Sequence, residues 1–174
     1  VRRSDDVRRW ITHEPRGHAD LTAAVLTEAD DPLADVGVLF MDAAGFRPIS
    51  GHGVLGVVAI ALERRLLMPR TDRRVVVDTA AGLVRVRADR HPDGRLSRLG
   101  VTGIPSFVVA AGVDLQVRGR RVRADIAYGG GFYAIVDAES AGVVVDGTEL
   151  GVLQRAGMAT AAAVDATMDL THPG

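Results

Sequence analysis

The hydrophobic pattern divides the chain into one long apolar run and a series of short ones. Residues 54–62, Val-Leu-Gly-Val-Val-Ala-Ile-Ala-Leu, are apolar on every helical face, and a helix of that kind needs cover on all sides. The run extends to Leu67 and meets Met68-Pro69, where proline disfavours helical geometry in the residue before it. The pattern therefore predicts a buried central helix over about 53–67. Ahead of it, residues 21–27 and 36–42 are short apolar segments bounded by the turn chemistry of Asp30-Asp31-Pro32, and they predict two strands. Behind it, residues 73–79 and 82–88 predict an antiparallel pair turning at Ala80-Ala81. The second of these alternates through Leu83, Val84, Arg85, Val86 and Arg87.

After a turn at His91-Pro92-Asp93-Gly94, residues 96–103, 106–115, 116–125 and 132–138 predict further short strands. Their spacing of about eight to twelve residues implies a strongly bent sheet or a barrel. Residues 1–9 are polar and predict no element, and 10–20, with Pro15 and Gly17, predict a loop. A final helix starts at Asp146, with Glu149 three positions on in a capping-box pattern. It runs through Leu150, Leu153, Met158 and several alanines to about Val164. The chain then closes on Thr171-His172-Pro173-Gly174, leaving nothing to cover that helix. Fewer than about 60 residues follow position 115, near the lower margin for an independent core. The expected organisation is thus a first unit over 1–115 and the truncated beginning of a second over 116–174, so the chain reads as a fragment.

Composition narrows the class. The 174 residues are 47% apolar with a net charge of −1, which describes a globular protein. No apolar run reaches the roughly 18 residues needed to cross a bilayer, and no signal peptide opens the chain, so a cytoplasmic protein is expected. Every cation except histidine is arginine. The arginines at 2–9 and 64–74 are interleaved with acids and those at 118–123 are flanked by Asp114 and Asp125, a solvated surface and not a nucleic-acid face. The chain has no cysteine, which removes disulfides and thiolate chemistry from its repertoire.

Candidate chemistry gathers where the central helix begins. Gly51-His52-Gly53 opens it and presents free backbone N–H groups and the positive end of the helix dipole, a natural anion site. Ser50 stands at the edge of that site, either as a helix cap or as a nucleophile, acid or base. Gly51-His52-Gly53-Val54-Leu55-Gly56 also satisfies G-x-G-x-x-G, with Asp78 ending a strand about 20 residues later, as dinucleotide binding requires. That reading fails on context. The preceding strand, through Val38 and Met41, ends well before Gly51, and antiparallel hairpins follow where alternating strands and helices should.

Five stretches in one order carry a more specific message: Glu14-Pro15-Arg16-Gly17-His18-Ala19-Asp20; Gly37-Val38-Leu39-Phe40-Met41-Asp42; Gly51-His52-Gly53-Val54-Leu55-Gly56-Val57-Val58; Ile104-Pro105-Ser106-Phe107-Val108; and Asp125-Ile126-Ala127-Tyr128-Gly129-Gly130 with Phe132-Tyr133-Ala134. Together they resemble the proline racemase family, which includes proline racemase, 4-hydroxyproline 2-epimerase and trans-3-hydroxy-L-proline dehydratase. The resemblance implies an α+β fold like that of diaminopimelate epimerase, in which two units each wrap a bent antiparallel sheet around a central helix. It implies cofactor-independent, two-base proton transfer at the α-carbon of proline or hydroxyproline, no metal, and a homodimer when full length.

By the same resemblance, Gly51 and His52 match the carboxylate-binding positions, with their backbone N–H groups mattering more than the imidazole and His52 as a titrating base the lesser alternative, and Gly53 completes the substrate-binding stretch. Ser50 stands where the family has its first catalytic cysteine. The second motif, a Cys-Gly-Thr run, is absent. A thiol, with a pKa of about 8.5, is a far better base than a hydroxyl, which needs a neighbour to take its proton. No such neighbour is evident along the chain. Three readings follow: a hydroxyproline epimerase or proline racemase using Ser50; a dehydratase, whose elimination tolerates a weak second group; and an inactive fragment or binding domain.

The remaining polar candidates have plainer explanations. Glu14, Arg16, His18 and Asp20 have the spacing of a salt-bridged loop, not of a metal site. Phe132 and Tyr133 fit core packing better than contact with a substrate ring, and Asp42 and Arg47 fit solvated loop positions.

Overall fold

The computed structural model describes residues 2–171, with side chains from residue 5 onward, so the closing His172-Pro173-Gly174 lies outside the described residues. The chain divides into two compact units, Val1–Ile104 and Pro105–Gly174.

The first unit contains α1 (Arg2–Thr12), β1 (Ala23–Thr27), β2 (Val36–Met41), β3 (Phe46–Arg47), α2 (Gly51–Glu63), β4 (Arg74–Thr79), β5 (Gly82–Arg90) and β6 (Leu96–Thr102). Its sheet has the order β1-β2-β4-β5-β6, with β3 beside β2. Pairing is antiparallel except between β2 and β4, which run parallel at Val36 with Val77 and Gly37 with Asp78. The alternation expected along residues 82–88 is present: Val84, Val86 and Ala88 are buried while Arg85 and Arg87 face water.

Helix α2 lays Val54, Val58, Ala61 and Leu62 into a core built with Phe40, Val75, Val77, Val84 and Val86. Within residues 2–171 its cover is partial. The edge strands β1 and β6 both touch α2, but its remaining face stays open, with Gly56 and Glu63 exposed and Ile60 58% exposed. The helix also begins and ends earlier than 53–67. Ser50 caps its start. At its end Arg65, at φ 56°, donates its N–H to the Leu62 carbonyl while Leu66 donates to Ala61 at 2.8 Å. This paired closure is a Schellman motif, so a left-handed residue stops the helix before Pro69 is reached.

Helix α1 replaces the unstructured start expected for residues 1–9. Among its described side chains the buried positions are Arg8 and Thr12, one turn apart, a polar inner stripe that an apolar periodicity cannot reveal.

The second unit is a three-stranded antiparallel sheet of β7 (Phe107–Val117), β8 (Arg120–Tyr128) and β9 (Phe132–Val136), followed by α3 (Leu150–Thr167). Residues 106–115 and 116–125 are not two strands meeting at 115. β7 runs unbroken through that point, and the reversal falls at Arg118-Gly119, with φ 52° and 80°. Two successive positive φ values make the two-residue turn that suits a twisted hairpin. The division at 115/116 therefore falls inside a strand, and the two units part at Ile104/Pro105. Asp146 accepts the Thr148 N–H at 2.9 Å and opens a single 3-10 turn before α3, which buries Ala156, Thr160 and Val164. Val164 packs against Leu115, Val122, Ala124 and Ile126.

Candidate active site

The loop between β2 and α2 is set by one carboxylate. Asp42 accepts the N–H groups of Ala44 and Gly45 at 2.9 and 3.0 Å through Oδ1, and its Oδ2 pairs with Arg47. This tightens the reversal that lays β3 back on β2, with Phe40 opposite Arg47. Burial, the largest influence on the Asp42 carboxyl, would raise its pKa. The hydrogen bonds from Arg47, Gly45 and Ala44 together outweigh burial and hold it below the ordinary 3.8. Asp42 and Arg47 are thus partners in an ordered turn and not independently solvated groups. Arg8, 7% exposed, anchors the same loop by donating to the carbonyls of Asp42 and Ala43 at 2.8 and 2.7 Å.

From this turn the chain enters Ser50 in extended geometry, φ −140° and ψ 110°. That geometry folds the side chain back over the first helical turn, where Oγ accepts the Gly53 N–H at 3.3 Å. The Ser50 carbonyl accepts the Val54 N–H at 2.8 Å. Among the described residues, the N–H groups of Gly51 and His52 have no partner, and both residues are exposed. Two open donors at the positive end of a 13-residue helix are chemically suited to an anion, and the Ser50 hydroxyl lies at their edge. The N–H of Gly53 is occupied by the cap, so this residue contributes differently. A Cβ there would stand 2.8 Å from Phe40 Cε1 and 2.9 Å from Ser50 Oγ, so only glycine lets the helix start press against the buried Phe40 ring.

Nδ1 of His52 lies 3.4 Å from Ser50 Oγ, so the imidazole two residues on is the group beside the hydroxyl. A hydroxyl at an N-cap and an imidazole two residues on are brought together only because the cap conformation turns the serine over the helix. The i, i+2 spacing within a regular helix would separate them. Arg8 was also invisible to pattern reasoning, since its value lies in carbonyls more than 30 positions away.

The other candidates are placed elsewhere. Asp78 accepts the N–H groups of Asp30 and Asp31 at 2.9 and 3.0 Å, a structural duty and not a ribose contact. The 14–20 cluster is not salt-bridged. Arg16 lies over the Trp10 ring at 4.1 Å, His18 accepts from the Asp20 N–H, and among the described residues no ion pair joins the four. In the second unit Phe132 packs edge-on to Tyr128, whereas Tyr133 is 58% exposed and is not a core residue.

This start of α2, a Ser-Gly-His-Gly cap with open donors ahead of a valine-rich core, can be compared with known proteins. The family model described as "Proline racemase" matches residues 1–174. The chain belongs to the proline racemase family. It is 35% identical over 140 residues to 4-hydroxyproline 2-epimerase 2 of Brucella anthropi, an alignment covering 80% of this chain and 41% of that protein. Among solved structures, a hydroxyproline epimerase from Agrobacterium vitis with bound trans-4-hydroxy-L-proline superposes with a TM-score of 0.86 and 28% identity, over 98% of this chain and 50% of that one. A probable proline racemase from Agrobacterium radiobacter K84, with bound carbonate, gives the same TM-score at 30% identity, covering 98% and 51%. The chain thus spans about half the length of these relatives or less. Its α+β fold is of the diaminopimelate epimerase-like type, as the motifs predict. No helix among the described residues is long and apolar enough to cross a membrane.

Proposed function

We propose that this chain forms the first catalytic half of a 4-hydroxyproline 2-epimerase. The observation that carries the reading is the pair of open N–H groups on Gly51 and His52 within one helical turn of the Ser50 hydroxyl. In this reading the substrate carboxylate docks on the two donors, which sets its α-carbon beside Ser50. Negative charge that develops on the carboxylate as the α-proton leaves is stabilised by the same donors and by the helix dipole. Gly53 maintains the approach of the helix start to Phe40, and Asp42, Arg47 and Arg8 hold the loop that delivers Ser50. The resemblance to relatives named as hydroxyproline epimerases supports the choice of substrate class. The two-base chemistry needs no cofactor, the opposing acid or base comes from outside residues 1–174, and the full-length protein works as a homodimer.

A second reading is trans-3-hydroxy-L-proline dehydration, and the serine itself favours it. An elimination uses one base for the α-proton and returns none to the opposite face, so a weak hydroxyl suffices as the second group.

Proton NMR in deuterated water separates the readings, using the complete polypeptide that bears this sequence with proline, trans-4-hydroxyproline and trans-3-hydroxyproline. α-Deuteration with inversion of trans-4-hydroxyproline, lost in Ser50→Ala, is the expected result. Loss of the 3-hydroxyl to a cyclic imine would establish the dehydratase, and silence on all three substrates would leave a binding protein.

A further inference from the structure

We infer that His52 is the proton-accepting partner of Ser50, so that the two act as a relay in which the hydroxyl reaches the substrate and the imidazole carries the proton. The inference rests on the α-carbon chemistry proposed above. Its basis is the hydrogen-bond arrangement around one oxygen. Ser50 Oγ accepts the Gly53 N–H at 3.3 Å, which occupies a lone pair and leaves the hydroxyl proton to be donated elsewhere. The ring nitrogen at 3.4 Å, His52 Nδ1, receives it when the imidazole is in the tautomer protonated at Nε2. Nucleophile–base contacts of this kind are commonly long before substrate binds and tighten in the complex. His52 is exposed at the same helix start whose N–H groups face the proposed carboxylate, so the imidazole lies beside the charge that forms.

The proton count closes. The α C–H bond breaks and its proton passes to Ser50 Oγ, while the hydroxyl proton moves to Nδ1 of His52. The electron pair of the C–H bond stays on the substrate, delocalised into the carboxylate on the Gly51 and His52 donors. The site then holds an imidazolium beside an enediolate. In the reverse direction the imidazolium returns its proton to Oγ as Oγ protonates the α-carbon. The relay lets a side chain with a poor intrinsic basicity do what a thiolate does alone. It follows that the demand for His52 is conditional on serine at position 50.

That condition supplies the test. α-Hydrogen exchange and turnover are measured in the complete polypeptide for the wild type, His52→Asn, His52→Gln, Ser50→Cys and the double variant Ser50→Cys/His52→Asn, with thermal melting of each. In the serine background, loss of the imidazole is expected to lower kcat about 100-fold or more with little change in KM, the usual range for removing a general base. Asn keeps a hydrogen-bond acceptor near Nδ1 without its basicity, so it fails as Gln does. In the cysteine background the same substitution is expected to cost less than about tenfold. Equal losses in the two backgrounds, a rise in KM with kcat unchanged, or full activity in His52→Asn would each overturn the relay while leaving the epimerase reading intact. A wild type silent on every proline substrate would overturn both.

Discussion

The guanidinium of Arg8 donates to the backbone carbonyl of Asp42 at 2.8 Å, tying the first helix to the turn that delivers Ser50. The same group reaches the Ala43 carbonyl at 2.7 Å and the Asp5 carboxylate at 2.7 Å, so one buried cation satisfies three acceptors. Arg8→Ala is expected to destabilise the first unit by about 1–3 kcal/mol, because it strands two carbonyls and empties a buried site. Arg8→Lys should recover only part of this, since an ammonium cannot reproduce the fork that spans both carbonyls and Asp5. Urea unfolding of the three proteins reads the difference. Equal stabilities would show that water replaces the guanidinium without loss.

Gly53 and Gly56 lie three positions apart on α2, and the same substitution should act on them with opposite sign. Gly56 has no atom within 4 Å of an added Cβ, so Gly56→Ala should stabilise by about 0.5–1 kcal/mol through helix propensity. Gly53→Ala places its methyl 2.8 Å from the buried Phe40 ring and should destabilise by about 1–3 kcal/mol while displacing the cap. Thermal melting of the two variants checks the signs. A stabilising Gly53→Ala would mean that Phe40 yields and that the close approach carries no constraint.

Arg65 occupies the left-handed position of the Schellman closure, where a side chain is unfavourable and glycine is not. Arg65→Gly is expected to raise stability by about 0.5–1 kcal/mol, against the usual trend for glycine substitutions. The midpoint of denaturant unfolding should rise with an unchanged slope. A fall would show that the arginine side chain does more in the fold than its backbone costs.

The lowered pKa of Asp42 sets a pH dependence. A carboxyl that holds its proton less tightly folded than unfolded adds stability above its unfolded pKa, and that contribution is lost as pH falls through the folded value. The stability gap between wild type and Asp42→Asn should therefore be constant above about pH 5 and shrink below about pH 4. Unfolding free energies across pH 3–7 test this, and a gap independent of pH would remove the carboxylate from the account.

Much of the site was legible because it is local. A serine before Gly-His-Gly and an apolar run specifies an N-cap, a helix start and free donors within a few residues, since capping and dipole effects act over a single turn. The hairpin of β4 and β5 was equally readable, because period-two alternation fixes which faces Val84 and Arg85 take. Decisions that depended on distant partners were not readable. The burial of Arg8 needs the carbonyls of Asp42 and Ala43, and the glycine at 53 answers to Phe40. The sequence by itself determined the central helix, the β4–β5 hairpin, the cap and the donors of Gly51 and His52. The tertiary structure decided that Arg8 meets the carbonyls of Asp42 and Ala43 and that Gly53 meets Phe40, because those pairings depend on where the folded backbone places groups distant in sequence, and no local preference encodes that.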